Sequence, residues 1–150
     1  MRALVQRVSE ASVLEKGATI AKIEGGLLIF FCAMRDDSDE EISIMAKKIS
    51  NLRIFNDHYG KMNKSICETN GSVLLVSQFT LAADTRRGNR PGFSQAAEPK
   101  RGKKMYFDLK NRLIDMGLRV EIGQFGSDMQ VCLINDGPVT IWLDTSQKDK

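Results

Sequence analysis

The chain opens on short stretches in which apolar and polar positions alternate. Leu4 and Val8 flank Gln6, Ser12–Leu14 forms a second short run, and Thr19–Ile23 a third that is rich in β-branched residues. A period of two with β-branched content predicts strands, and Glu15-Lys16-Gly17 between the second and third runs reads as a hairpin-like turn. Gly25-Gly26 breaks the chain before Leu27–Cys32, whose unbroken apolar character predicts a central strand. Ser38 followed three residues later by Glu41 is a capping-box pattern. Beyond it Ile42, Met45, Ile49 and Leu52 recur at close to the helical period, with Lys47 and Lys48 on the other side, predicting an amphipathic helix packed on the sheet. Leu52–Phe55 then reads as a brief strand, and Asn56–Gly60 as a turn before Met62–Ile66.

The second half repeats this grammar. Val73–Val76 is a continuous apolar run entered from Asn70-Gly71, too short and too β-branched for a buried helix, and it ends in Ser77-Gln78-Phe79-Thr80. Polar groups thus appear where a buried strand reaches the edge of the core, rigid on one side and open on the other. Pro99 opens a second helix, with Met105, Leu109, Leu113 and Met116 on one face and Gly117 as its stop. Leu118–Ile122, Val131–Ile134 and Val139–Leu143 predict further strands. Trp142 can seal either the monomer core or a subunit contact. Ser146–Lys150 is a polar tail expected to fray. With 150 residues, no repeat and no second core, the pattern predicts one α/β compact domain over 1–150. Its sheet is mixed, mainly antiparallel and barrel-like, with two principal packed helices, because several connections are too short for parallel crossovers.

Charge adds little by its total: Lys plus Arg is 22 and Asp plus Glu is 19, a net +3, which permits an RNA partner without requiring one. Its distribution says more. Arg86, Arg87 and Arg90 concentrate in the irregular stretch Asp84–Ser94 beside the Ser77–Thr80 strand end, where guanidinium forks can grip phosphate and Phe93 can stack on a base or pack inward. A solvated loop anchored by Phe93 fits that composition equally well. Lys100, Arg101, Lys103 and Lys104 gather in the first turns of the second helix, the less favourable end for cations, which hints at an anionic partner. The 3 cysteines, Cys32, Cys67 and Cys132, are too far apart for a compact metal motif and cannot all pair. With no signal-like opening they predict a reducing, cytoplasmic setting. The apolar stretch Gly25–Met34 is too short to cross a bilayer as a helix, so no membrane partner is expected. His58, the single histidine, lies among turn residues with no orienting group nearby and reads as a surface residue.

No phosphate loop, dinucleotide fingerprint, zinc-protease helix or nucleophile elbow is present, so neither a metal nor a cofactor is expected. Two local features remain: Ser77-Gln78-Phe79-Thr80, and Asn135-Asp136-Gly137-Pro138-Val139-Thr140 between two predicted strands. On residue types alone the second is accounted for by a Gly-Pro hairpin turn, and Arg7 by a solvent-facing arginine at a strand end. Taken together with the opening Met1-Arg2 and Gln6-Arg7-Val8 and with Gly88–Phe93, however, these segments resemble the D-aminoacyl-tRNA deacylases nearly end to end.

The resemblance implies a homodimer with sites at the subunit interface, acting on the acceptor end of aminoacyl-tRNA. Gly137 and Pro138, joined by a cis peptide, would be a backbone gate that enters the partner's pocket, admits a D-amino acid and rejects its L counterpart. Arg7 would brace that gate, with Asn135 and Thr140 as further support. Ser77, Gln78, Phe79 and Thr80 would line the pocket around the terminal adenosine and the scissile ester. The reaction implied is hydrolysis to free amino acid and tRNA, with glycyl-tRNA a further substrate and Arg86, Arg87, Arg90, Lys100, Lys103 and Lys104 on the RNA side. Thr80 has no base beside it in the sequence, so the resemblance favours a water activated by the substrate's own ribose hydroxyl, with backbone amides near Phe79 and Thr80 holding the developing oxyanion. Two other readings stay open: a noncatalytic module that binds RNA ends, and a small-ester hydrolase with Thr80 or Cys32 as nucleophile.

Overall fold

The computed structural model describes residues 1–146; the polar tail expected at 146–150 falls outside them except for Ser146. The organising element is β1 (Arg2–Glu15), one 14-residue strand where two short runs are expected. Its first half pairs antiparallel with β3 (Gly26–Cys32) and its second half with β2 (Ala18–Ile23). The apolar pattern breaks at Ser9-Glu10 because this is where β1 changes partners and turns exposed side chains outward. Its other edge is covered throughout by β8 (Gln130–Asp144). Beyond β3 lie β6 (Ser72–Ser77) and β7 (Arg119–Ile122), both joined in parallel, while β2 comes back over β6 and β7 so that the sheet curls nearly closed. Gly26 permits the tight β3–β6 approach: a Cβ there would lie 1.9 Å from the Ser72 carbonyl oxygen.

The curled sheet has a core on each face. Val8, Val13, Ile23, Leu28, Leu74 and Val76 fill the inside of the curl. Leu27, Ile29, Phe31, Val73 and Leu75 face outward under two helices, α1 (Asp39–Asn51) and α2 (Pro99–Asp115). The alternation of neighbouring residues between these cores is why β3 and β6 read as unbroken apolar runs. Ile42, Met45, Ile49, Leu109 and Leu113 are all at most 2 % exposed, as the helical spacing predicts. Truncating one of them, as in Leu109→Ala, costs about 2–5 kcal/mol. The Ser38–Glu41 capping box is formed, with the Ser38 amide donating to Glu41 Oε2 at 2.7 Å. Tyr106, fully buried on α2, donates its hydroxyl to the Leu75 carbonyl at 2.7 Å and so ties the helix to β6.

Four expectations are corrected. Leu52 caps α1 and only Phe55–Asn56 (β4) is extended, paired with β5 (Met62–Lys64), so no strand spans Leu52–Phe55. Met116 caps the end of α2 and is 38 % exposed, because Gly117 at φ 88° turns the chain away. Leu4–Val8 and Ser12–Leu14 are not separate strands, because β1 continues through Ser9-Glu10. Last, Val131–Ile134 and Val139–Leu143 are not two arms of a hairpin. Both pair with β1 in the same antiparallel sense, so the chain does not reverse at Gly137-Pro138.

Candidate active site

Strands β3 and β6 run parallel and end side by side at Cys32 and Ser77. The Gln78 amide donates to the Phe31 carbonyl at 2.7 Å, fixing the point where the chain leaves the sheet for a 3-10 turn over Phe79–Ala82. A cleft of about 810 Å³ opens there, outside the carboxyl ends of the parallel strands, as is usual for ligand clefts in such sheets. Ser77, Gln78 and Phe79 form one wall, and Phe93, Pro99, Phe125 and Met129 contribute others. Phe79 is 58 % exposed and meets Phe93 edge-on, with ring centroids 5.1 Å apart. The irregular basic loop is therefore pinned to the cleft through Phe93. Phe125 and Met129 carry no local signal that marks them as lining residues; the fold alone brings them to the strand ends.

The strand end offers neutral groups, while the charged residues of the lining, Arg35, Glu98 and Asp128, come from other segments. The Gln78 side-chain amide donates to Thr80 Oγ1. An amide N–H holds the hydroxyl oxygen in place and takes no proton from it, and among the described residues no base is hydrogen-bonded to Thr80. Cys32 is 2 % exposed, and burial pushes its thiol up from 9.0 to about 11, leaving it protonated and unreactive near neutral pH. Among the described residues no hydrogen bond occupies the backbone amides of Phe79 and Thr80, which begin the 3-10 turn and have no acceptor within it. His58 lies elsewhere on the surface, its ring against Tyr59 with centroids 3.8 Å apart. No group of three or more His, Cys, Asp or Glu residues that could hold a metal ion occurs among the described residues.

The second feature is a protrusion within β8. Asn135 pairs with Val8 and Thr140 with Gln6, so β8 advances five residues while β1 advances two, and the surplus is thrown outward. Its base is clasped by side chains: Asn135 Nδ2 donates to Thr140 Oγ1 at 2.8 Å, Val139 N–H donates to Asn135 Oδ1 at 2.8 Å, and Gln6 Nε2 reaches Thr140 Oγ1 at 3.2 Å. Arg7 is buried to 8 % exposure, contrary to the solvent-facing reading of its position. Its Nε donates to the Asp136 carbonyl at 2.9 Å and its Nη1 to the Ile54 carbonyl at 2.6 Å. Ile54 as the second anchor is invisible in the sequence. The Gly137–Pro138 peptide is cis, and both residues are exposed. None of residues 135–140 lines the cleft of the same chain.

The basic residues divide. Arg86 spends its guanidinium on Asp84, with contacts of 2.9 and 2.6 Å that hold the carboxyl well below its ordinary range. Arg87 and Arg90 are exposed in the same loop and take no part in the ion pairs among the described residues. On α2, Lys104 turns to Asp108 at 2.6 Å and Arg101 donates to the carbonyls of Arg35 and Asp37. Lys100 and Lys103 remain exposed, each next in the chain to a cleft residue, Pro99 and Gly102, without lining the cleft themselves. No described helix is long and apolar enough to cross a membrane.

Comparison with known proteins places this geometry in context. Residues 4–144 match a family model described as D-Tyr-tRNA(Tyr) deacylase. The chain is 55% identical over 148 residues to a D-aminoacyl-tRNA deacylase of Ruegeria sp., covering 99% of this chain and 95% of that one. It is 53% identical over 148 residues to a D-aminoacyl-tRNA deacylase of Paracoccus denitrificans, covering 99% of each. A solved structure titled c-Myc DNA Unwinding Element Binding Protein superposes with a TM-score of 0.91 at 38% identity, over 97% of this chain and 99% of that one. Matches of this extent define a hydrolytic enzyme of translation quality control. The chain belongs to the D-aminoacyl-tRNA deacylase family.

Proposed function

We propose that this chain hydrolyses the ester of D-aminoacyl-tRNA as a homodimer, in which Gly137–Pro138 of one protomer enters the cleft of its partner walled by Ser77, Gln78 and Phe79, with Thr80 at its margin, and excludes L-aminoacyl groups. One observation carries the reading. The Gly-Pro protrusion is exposed and firmly braced, yet lies outside the cleft of its own chain, which supports a site whose two halves come from different subunits. The outer side of β8 supports such a contact: Ile134 is 54 % and Trp142 43 % exposed in the single chain, large apolar surfaces beside the protrusion.

In this reading the terminal adenosine and the ester carbonyl lie along Ser77–Thr80, and Phe79 with Phe93 offers an aromatic wall for the base. The amides of Phe79 and Thr80 receive the negative charge that develops on the carbonyl oxygen. Their value comes from being fixed in advance by the Gln78–Phe31 hydrogen bond. Thr80 positions and does not attack, since among the described residues the group bonded to its hydroxyl is an amide donor. Cys32 is too firmly protonated to serve as nucleophile. Water activation falls to the substrate's own neighbouring ribose hydroxyl. The gate selects by backbone: with Gly137 lacking a side chain, the carbonyl and amide surface of 137–138 faces the α-carbon of the aminoacyl group, and glycine, having no side chain to clash, passes as well. Incubation of the protein with matched D- and L-aminoacyl-tRNA tests the proposal. Turnover of the D form alone is expected, and equal turnover of both, or of neither, contradicts it.

A further inference from the structure

The β4–β5 hairpin carries an exposed aromatic and cationic tip for which the catalytic reading has no use. Tyr59 is 77 % exposed and its ring lies against the exposed ring of His58, tilted by 41°, while Lys61 and Lys64 are exposed on the same short hairpin. Such surface is not left over from core packing, because β5 buries none of its residues. The tip is held in one shape: Asp57 accepts from Tyr59 N–H at 2.9 Å, Lys61 N–H at 3.0 Å and Asn63 Nδ2 at 2.8 Å. Those bonds also spend the one carboxylate of the hairpin internally, so its outward charge is positive. The root of the hairpin is joined to the gate, since one Arg7 guanidinium donates both to Ile54 O at 2.6 Å and to Asp136 O at 2.9 Å. The root of the hairpin and the gate are thus held by one buried side chain.

We propose that His58, Tyr59, Lys61 and Lys64 form an RNA-contact site that grips the acceptor stem of the tRNA whose aminoacyl end lies in the partner's cleft. The inference rests on the shared-site reading above and extends it from the terminal adenosine to the nucleotides beyond. Tyr59 lies five residues beyond Ile54, so the tip stands within about 18 Å of the Arg7-held root, close enough to the gate for one RNA end to touch both. A ring pair with a free face accepts any base or sugar, and lysines beside it meet phosphates without reading sequence. That combination suits an enzyme that must act on many tRNAs.

The test uses the intact dimer, an uncharged acceptor-stem minihelix ending in CCA, and D-aminoacyl-adenosine as a substrate without a stem. Tyr59→Ala should weaken minihelix binding at least about fivefold, the lower range for losing one stacked base, with turnover of D-aminoacyl-adenosine unchanged. Lys61→Ala with Lys64→Ala should reduce the slope of log affinity against log salt by about 1.5. Minihelix binding unaltered in both variants overturns the inference, as does an equal loss on the stem-less substrate. A shift of the variants from dimer to monomer in sedimentation would show that the tip serves a second copy of the chain and would overturn it as well. Failure of the unsubstituted protein to hydrolyse D-aminoacyl-tRNA would instead remove the catalytic reading, leaving the binding result to be judged alone.

Discussion

Adding a single methyl group at position 137 is the sharpest perturbation of the gate. The Cβ of Gly137→Ala would lie 2.8 Å from Val139 Cγ2, 3.0 Å from Arg7 Nη2 and 3.1 Å from Val139 N. None of these yields cheaply: valine is stiff at χ1, the Arg7 guanidinium is held by two carbonyls, and the third is backbone. Gly137 also sits at φ 139°, a conformation that side chains with a Cβ rarely adopt. Relief requires the protrusion to move, and the backbone cost is of order 1–3 kcal/mol. For a chain of this size that corresponds to about 2–4 °C in Tm per kcal/mol, so the variant should remain folded with a modest loss visible in thermal melts. Catalysis should suffer more than stability, since a displacement near 1 Å at a positioning group can cost about 100-fold. Single-turnover deacylation of D- and L-aminoacyl-tRNA, run on material shown to be dimeric, reads both consequences. A variant with unchanged Tm, an unchanged rate on the D substrate and intact rejection of the L form would refute the reasoning.

Other positions give independent checks. Thr80→Ala removes one hydrogen bond worth about 1 kcal/mol and should slow single turnover by only about fivefold; a loss beyond about 1,000-fold, or an acyl adduct trapped on Thr80 in the parent protein, would make Thr80 the nucleophile. Arg87→Ala with Arg90→Ala should flatten the salt dependence of tRNA binding by about 1.5 in log–log slope, whereas Arg86→Ala, whose fork is already taken by Asp84, should barely change it; equal effects would contradict the division seen in the loop. The Cys32 thiol has a folded value of about 11 against an ordinary 9.0, so above pH 9 the unfolded chain releases this proton first, and stability falls as pH rises and levels off beyond 11. The loss is at most about 3 kcal/mol, and Cys32→Ala should remove that part of the pH dependence measured in urea melts; an identical pH profile in the variant would refute the assignment.

The framework was readable from the sequence because its signals are strong and local. Val73–Val76 and Leu27–Cys32 are apolar on both faces and proved to be the parallel centre, and Ser38 with Glu41 marked the start of α1. Reading failed where one strand serves two neighbours. The polar Ser9-Glu10 within β1 and Gly137-Pro138 within β8 looked like ends of elements, since periodicity registers an interruption without telling a bulge from a reversal. The candidate site shows the same split. A polar ending on a buried strand pointed to the place where the cleft opens, at Ser77–Phe79, but residue types alone gave Arg7 to solvent, and only the three-dimensional pairing reveals that it bridges residues 54 and 136. Nor does composition separate Arg86 from Arg87 and Arg90. The distinction depends on where Asp84 points.

A site shared between subunits is most directly tested by mixing two defective chains. One carries Gly137→Ala, spoiling the gate and leaving its cleft intact; the other carries Phe79→Ala, spoiling the cleft and leaving its gate intact. Each alone should deacylate D-aminoacyl-tRNA poorly. When the two are unfolded together and refolded at equal concentration, half of the dimers formed by random pairing should be mixed, and each of those should hold one site built from an intact cleft and an intact gate, restoring about one quarter of the parental activity. Activity that stays at the level of the separate variants, in a preparation shown to contain mixed dimers, would mean that each chain carries its own complete site and would contradict the shared arrangement.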